Sequence, residues 1–373
     1  MLRKALESSF YYKACCFVFY FVVAAASFNG YYHKWHFAEV DAPGDDLRFH
    51  FEMMIDGTAY RPYVQRQLLP AAANWIDNAV PRSFETWLYS CQNGPNARMD
   101  PFFDTQTAEN PDYFFRYVIV YLATFLFALL AVYAMYLVFR ELEIPPAAAV
   151  FAPAVVILLF PYIESEGGFF YDYPELAFLA LAVWVALKFP WWCILPIAAL
   201  GTWNKESFVL VIPTLYPFFR RRSSRVGAWL ATTVLCLVCV AVYYPIRLRF
   251  AQNPGGALEL HWRDQLSYYM HPLNHLFGIE MTYGLLAVKA FSVVPMALLA
   301  WTFWRGWRYL PATVQRHALV AAVINIPLYL LFCWPGEIRN LSLLYIVFLL
   351  LLAVNLNHWI ASSAKAEAAA SEP

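Results

Sequence analysis

A chain of 373 residues that is 61% hydrophobic and 19% aromatic, with only 14% charged residues and a mean hydropathy of +0.48, is excluded from the soluble globular class. The formal net charge is zero, so no overall excess of either sign points to nucleic acid or to a polyanionic partner. The composition is that of an all-α polytopic membrane protein.

The first apolar stretch, 10–28, follows a basic start and ends in small residues, much as a signal peptide does. About 19 residues is long enough to span, so an uncleaved first helix is predicted. Further apolar runs follow at 114–139, 147–163, 174–188, 191–203, 207–219, 227–246, 284–304, 317–334 and 341–359, about ten segments in all, two of them short. Arg3, Lys4, Arg140, Lys188, the RRRSSR run at 220–225, Arg305, Arg308 and Arg316 fall on one face of this arrangement, while the opposite short loops hold only Lys205 and Arg339. The excess of Lys and Arg marks the cytoplasmic side, which places both termini in the cytoplasm. All but five of the 26 acidic residues then lie outside or at the outer membrane edge, a segregation that orientation alone does not require. Residues 1–361 read as one transmembrane domain with outer segments at 29–113 and 247–283, and 362–373 as a disordered cytoplasmic tail. Both outer segments mix aromatic, proline and polar residues and are expected to lie on the membrane surface as helical caps.

Of seven cysteines only Cys91 sits well inside a polar segment, so no disulfide framework is expected. Cys236 and Cys239 have metal-like spacing but belong to a continuous apolar run, and His261, His271 and His275 lack compact ligand spacing. No metal site is predicted.

Four outer stretches carry candidate chemistry. Asp45 and Asp46 follow a Pro-Gly turn shortly after the first helix and precede a helix predicted from Leu47, with Phe49, Met53 and Met54 on one face. Either aspartate suits an N-cap, and partial desolvation at a membrane border also raises a carboxylate's pKa toward that of a general base. Arg61 and Arg66, in YRPYVQRQ, suit either lipid headgroups or a phosphate or diphosphate, whose oxygens match the guanidinium fork. In PYIESEGGFFYDYPELAF, Glu164, Glu166, Asp172 and Glu175 alternate with aromatic rings. That is the mixture of acceptors and flat faces used for sugars, and equally that of an interfacial aromatic belt. Asn204, Lys205 and Glu206 lie between two runs of about 13 residues, each reaching roughly 20 Å against a hydrocarbon core of roughly 30 Å. Lys205 and Glu206 are therefore expected at some depth, lining a protein-enclosed cavity or neutralising each other. Glu337 and Arg339 before the last helix, and Arg263 in HWRDQLSYYMHPLNH, extend the set.

GDDLRFHFEMMIDG resembles the Asp-Glu-x-x-Tyr-x-x-x-Ala pattern of the GT-C superfamily of membrane glycosyltransferases, with Asp45 at the first acid, Asp46 in place of Glu and Phe49 in place of Tyr. YRPYVQRQLLP, YDYPELAFLALAVWVAL and ALGTWNKESFVLVIP are similar, in this order, to segments of bacterial membrane proteins linked to cell-surface glycopolymer formation. The resemblance covers most of 40–220. It implies a GT-C-like fold in a bacterial inner membrane, a periplasmic active site, a polyprenyl-phosphate-linked sugar donor, a glycan or lipid-linked acceptor, membrane lipids around it and no nucleic acid. No cofactor is implied, and a divalent cation is left open. Asp45, or else Asp46, would be the catalytic base, and Lys205 and Arg339 would stabilise the departing lipid phosphate. Arg61, Arg66, Glu166, Asp172, Glu206, Arg263 and Glu337 would contact substrate. The competing readings are a transporter or flippase of a lipid-linked or small polar substrate, a glycan polymerase or ligase that relies on arginines, and a structural assembly subunit.

Overall fold

The computed structural model describes residues 10–38, 49–93, 105–165, 167–256, 260–271, 273 and 278–370. Six helices are long and apolar enough to cross a membrane: Phe10–Trp35, Pro111–Glu141, Pro146–Ile163, Arg225–Arg249, Ala312–Phe332 and Ile338–Ser363. The protein is thus an integral, almost wholly helical membrane protein. Helix starts carry the expected local chemistry. Pro111 and Pro146 stand in first turns, where a missing N–H costs nothing. The Asn110 and Ser224 side chains accept from the backbone N–H of Asp112 and Gly227, both at 3.1 Å.

The segment predicted at 174–188 forms α1, Asp172–Lys188, with 17 residues and hence a length of about 25 Å. It is buried over most of its length by the long helices around it. A helix apolar on every side belongs in such a central position. The short pair behaves as the spacing predicts. After Pro190 the chain climbs through α2, Leu195–Asn204, turns at an extended Lys205, and returns through a 3-10 stretch, Glu206–Leu210, to α3, Tyr216–Arg222. Gly201 makes the reversal tight, because a Cβ there would lie 2.8 Å from the Phe208 ring.

Three regions differ from the sequence reading. The run 284–304 does not form one helix. Ile279–Thr282 and Leu285–Val288 pair as an antiparallel hairpin, joined by Tyr283 and Gly284 at φ 56° and 73°, and only Val293–Gly306 is helical. Positive φ at both central positions is the turn whose twist suits a hairpin, and hydropathy alone does not separate a short apolar strand from a helix. The hairpin docks on the first helix through a 3.0 Å Lys34–Glu280 pair. The helix predicted from Leu47 is found at Phe51–Asp56, burying Phe51, Met54 and Ile55. At the other terminus the last helix, Tyr345–Ala370, continues into the segment read as a tail, consistent with the high helix propensity of its alanines.

The ends of these helices sort as the charge pattern requires. Lys188 pairs with Glu141 at 2.7 Å, the Arg222 guanidinium donates to the Phe189 carbonyl at 3.2 Å, and Tyr309 packs on His358. These contacts gather the basic helix ends at one pole. The opposite pole holds the acidic and aromatic stretches.

Candidate functional site

At that opposite pole lies a hollow of about 1070 Å³. Its apolar wall comes from Cys239, Val240 and Tyr243 on one helix and Leu328, Tyr329 and Phe332 on another, with Val209 and Leu210 beside them. Cys239 is ten residues before the end of its helix at Arg249, so it lies about 15 Å along the helix from that end. The polar head of the hollow is built from Arg66, Lys205, Glu206, Glu337 and Arg339, with Trp35, Phe49, Tyr63 and Phe169 around them. Three cations and two carboxylates face the space.

Each cation is held from behind. Lys205 is 6% exposed and its Nζ lies 2.6 Å from Oε2 of Glu175, whose Oε1 accepts from Ser342 Oγ at 2.7 Å. Arg66 pairs with Glu206 at 3.4 Å, donates to the Tyr171 hydroxyl and stacks 4.4 Å from the Tyr171 ring centroid. Lys205 and Glu206 therefore do not neutralise each other, and both point to partners on other elements. Arg339 pairs with Glu337, lies 3.7 Å from Asp172 and donates to the Gly167 carbonyl at 2.9 Å, with its guanidinium 4.7 Å from the Phe169 centroid. Charges this deep persist only when paired and hydrogen-bonded, so the arrangement fixes the positions of the three cations.

The loop 164–171 carries this clamp. Gly167 has φ +105°, and a Cβ on Gly168 would fall 2.5 Å from the Trp35 ring. Asp172 works inside the loop: its Oδ2 accepts from the Phe169 N–H at 2.7 Å and from the Tyr31 hydroxyl at 3.1 Å. It thus supports Arg339 and the turn, and is not part of the cavity wall. The Asn204 amide donates to the Tyr171 carbonyl at 2.9 Å, and the Gln67 N–H donates to the Trp203 carbonyl at 3.1 Å. The first outer segment consequently packs down onto the Asn204–Lys205 turn instead of lying wholly at the surface.

Glu164 is 1% exposed, and its Oε2 makes no hydrogen bond among the described residues. Burial pushes this carboxyl well above the usual carboxylate range; Asp172 adds to the effect, while Arg339 and Lys205 oppose it. The folded protein thus holds a proton that the unfolded chain releases near pH 4.3, and the associated stability is lost as pH rises through the folded value. Glu164→Gln mimics the protonated form. Its melting temperature is expected to depend less steeply on pH than that of the wild type between pH 5 and 9, with the variant favoured at the alkaline end. Parallel curves would remove this role.

The remaining sequence candidates separate. Asp45, Asp46 and Glu166 lie outside the described residues. Arg61 sits beside the main hollow, not in its wall, with its Nη2 2.5 Å from the Gly255 carbonyl. Arg263 is exposed and stacks on Trp262. The reason is visible on its helix, Trp262–Tyr269, where the neighbouring buried residue is Gln265, whose amide donates to the Cys333 carbonyl at 3.0 Å. Two residues earlier on a helix means about 200° around it, so Arg263 faces away. Glu175, Ser342, Tyr171, Tyr63 and Asn325 join the site without having been singled out as substrate contacts. Only Glu175 and Tyr171 carried a signal, the alternation of acids and rings before α1. Among the described residues no group of three or more His, Cys, Asp or Glu side chains is placed to hold a metal ion. No protein family, curated protein or solved structure matches the chain.

Proposed function

We propose that the protein is a glycosyltransferase that moves a sugar from a polyprenyl-phosphate-type donor to an acceptor outside the cytoplasm. The reading places it in a bacterial inner membrane, with the basic pole and both termini cytoplasmic and the hollow periplasmic. It takes the fold as GT-C-like with about ten membrane segments: the six long helices, α1, the two halves of the re-entrant pair, and the hairpin with its following helix. The observation that carries the proposal is the wall of the hollow. Two buried cations, the half-buried Arg66 and two carboxylates stand at the head of an apolar cleft, which suits a ligand with an anionic and hydroxyl-rich head and a long apolar chain.

In the proposed reaction Asp45, or else Asp46, removes the proton of the acceptor hydroxyl. The oxygen attacks the anomeric carbon, the carbon–phosphate-oxygen bond breaks, and the lipid phosphate leaves with the electron pair, inverting the configuration. Lys205 and Arg339, already fixed and poorly hydrated, stabilise the departing phosphate, and Arg66 adds a third positive group. Glu206 and Glu337 offer acceptors to sugar hydroxyls. An outward site meets no nucleotide sugar, so no nucleotide-binding motif is required.

The test uses purified protein in nanodiscs supplied with polyprenyl-phosphate donors carrying radiolabelled sugars. Transfer of label to a glycan or lipid-linked acceptor is expected. A transporter or flippase, which the broken helix pair also resembles, would instead move intact donor between leaflets of proteoliposomes without cleaving it. Translocation without cleavage would replace the proposal.

A further inference from the structure

A second hollow of about 350 Å³ lies beside the first and shares Val240 and Tyr243 with it. Its other walls are Arg61, Tyr244, Arg247, Leu248 and Ala251, so its lining holds two guanidinium groups and no carboxylate. This is the reverse of the larger hollow, where every cation already has an acidic partner.

The pocket is firmly constructed on one side. The Arg61 N–H donates to the Pro254 carbonyl at 2.9 Å, its Nη2 donates to the Gly255 carbonyl, and its buried Nε has no hydrogen-bond partner among the described residues. Gly255 takes φ +95°, and a Cβ there would come within 2.7 Å of the Arg61 carbonyl oxygen. Asn253 ties the same loop to residues 57 and 59, donating to the Gly57 and Ala59 carbonyls at 2.9 Å each. On the other side, Arg247 sits in the last turn of Arg225–Arg249, at the polar edge of a membrane-spanning helix. Tyr244 and Leu248, on the same helix end, are 59% and 57% exposed and face outward from the protein.

We propose that the Arg61–Arg247 pocket binds the phosphate of a membrane-resident lipid, with the lipid chain running down the outward face of the helix past Tyr244 and Leu248. Two guanidinium forks without acidic partners among the described residues match phosphate oxygens, and a buried Nε lacking an acceptor there gains one when phosphate enters. The apolar side chains below the cations make a lipid ester a better occupant than free phosphate. The site is separate from the transfer chemistry proposed for the larger hollow, and its test reads binding alone.

The experiment is equilibrium binding to the full-length protein in phosphate-free dodecyl maltoside micelles, with tritiated phosphatidylglycerol as probe and inorganic phosphate as competitor. Arg61→Gln with Arg247→Gln is expected to weaken binding of the lipid probe by about tenfold or more, the scale of a charge-assisted hydrogen bond. Arg82→Gln, a change at an exposed arginine in another part of the fold, should leave it unchanged. Because Arg61 also holds the 254–255 loop, Arg247→Gln alone serves as the second variant, and it too should weaken binding. Wild-type affinity in both variants overturns the proposal. Inorganic phosphate that binds as tightly as the lipid probe overturns it as well, by making this a free-phosphate site.

Discussion

Lys205→Met is expected to abolish sugar transfer and to destabilise the protein, whereas Lys205→Met combined with Glu175→Gln is expected to regain stability without regaining transfer. The single change leaves Glu175 buried beside Ser342 with no cation, and breaking a buried pair in this way costs about 3–5 kcal/mol. The double change removes the orphaned charge while the glutamine oxygen still accepts from Ser342, so most of that cost disappears. Melting temperature in detergent reads the first effect. Transfer of radiolabelled sugar reads the second, and the rate should fall by about 10²–10³-fold in both variants, the usual consequence of removing one group that stabilises developing negative charge. The comparison separates the two roles a buried lysine can have. If Lys205 is only half of a structural ion pair, the double variant recovers activity together with stability, and the phosphate role assigned to it is lost.

That the lysine lines a protein-enclosed hollow was legible from spacing alone. Two apolar runs too short to span, with Asn204–Glu206 between them, force a reversal inside the membrane, and only a protein-lined cavity tolerates charge there. The identity of its partner was not legible. Glu175 is 30 residues away on α1, Ser342 is 167 residues from Glu175, and Arg66 reaches Glu206 across 140 residues. Hydropathy fixes where helices lie along the membrane normal, but it carries no information on which helices are neighbours. The same limit explains Arg263: its short helix does pack beside the hollow, and the direction of its side chain depends on Gln265 docking against Tyr329 and Cys333. Asp172 fails differently. A carboxylate among aromatic rings reads as a sugar contact, yet the backbone turn at Phe169 and the Tyr31 hydroxyl use it first. The hairpin at 279–288 was hidden because its second strand opens an apolar run, 284–304, whose hydropathy is that of a spanning helix, while its first strand lies just before that run.

Asp45→Asn carries the largest expected effect on chemistry. Phe49 and Trp35, which flank the segment, both line the larger hollow. A base acting on the acceptor hydroxyl contributes about 10²–10⁴-fold to the rate, and the amide of Asn cannot take the proton while it keeps the size and most of the hydrogen bonds of Asp. Transfer in Asp45→Asn should therefore fall by at least about 10²-fold, with expression, membrane insertion and melting temperature at wild-type values. Asp46→Asn should fall less if Asp45 is the base, and the order reverses if Asp46 is. A pure capping role predicts another pattern, because loss of an N-cap costs about 1 kcal/mol of stability and leaves turnover intact. Wild-type turnover in both single variants and in the Asp45→Asn, Asp46→Asn double variant would leave the hollow with no proton acceptor in this segment and would end the case for base-catalysed transfer.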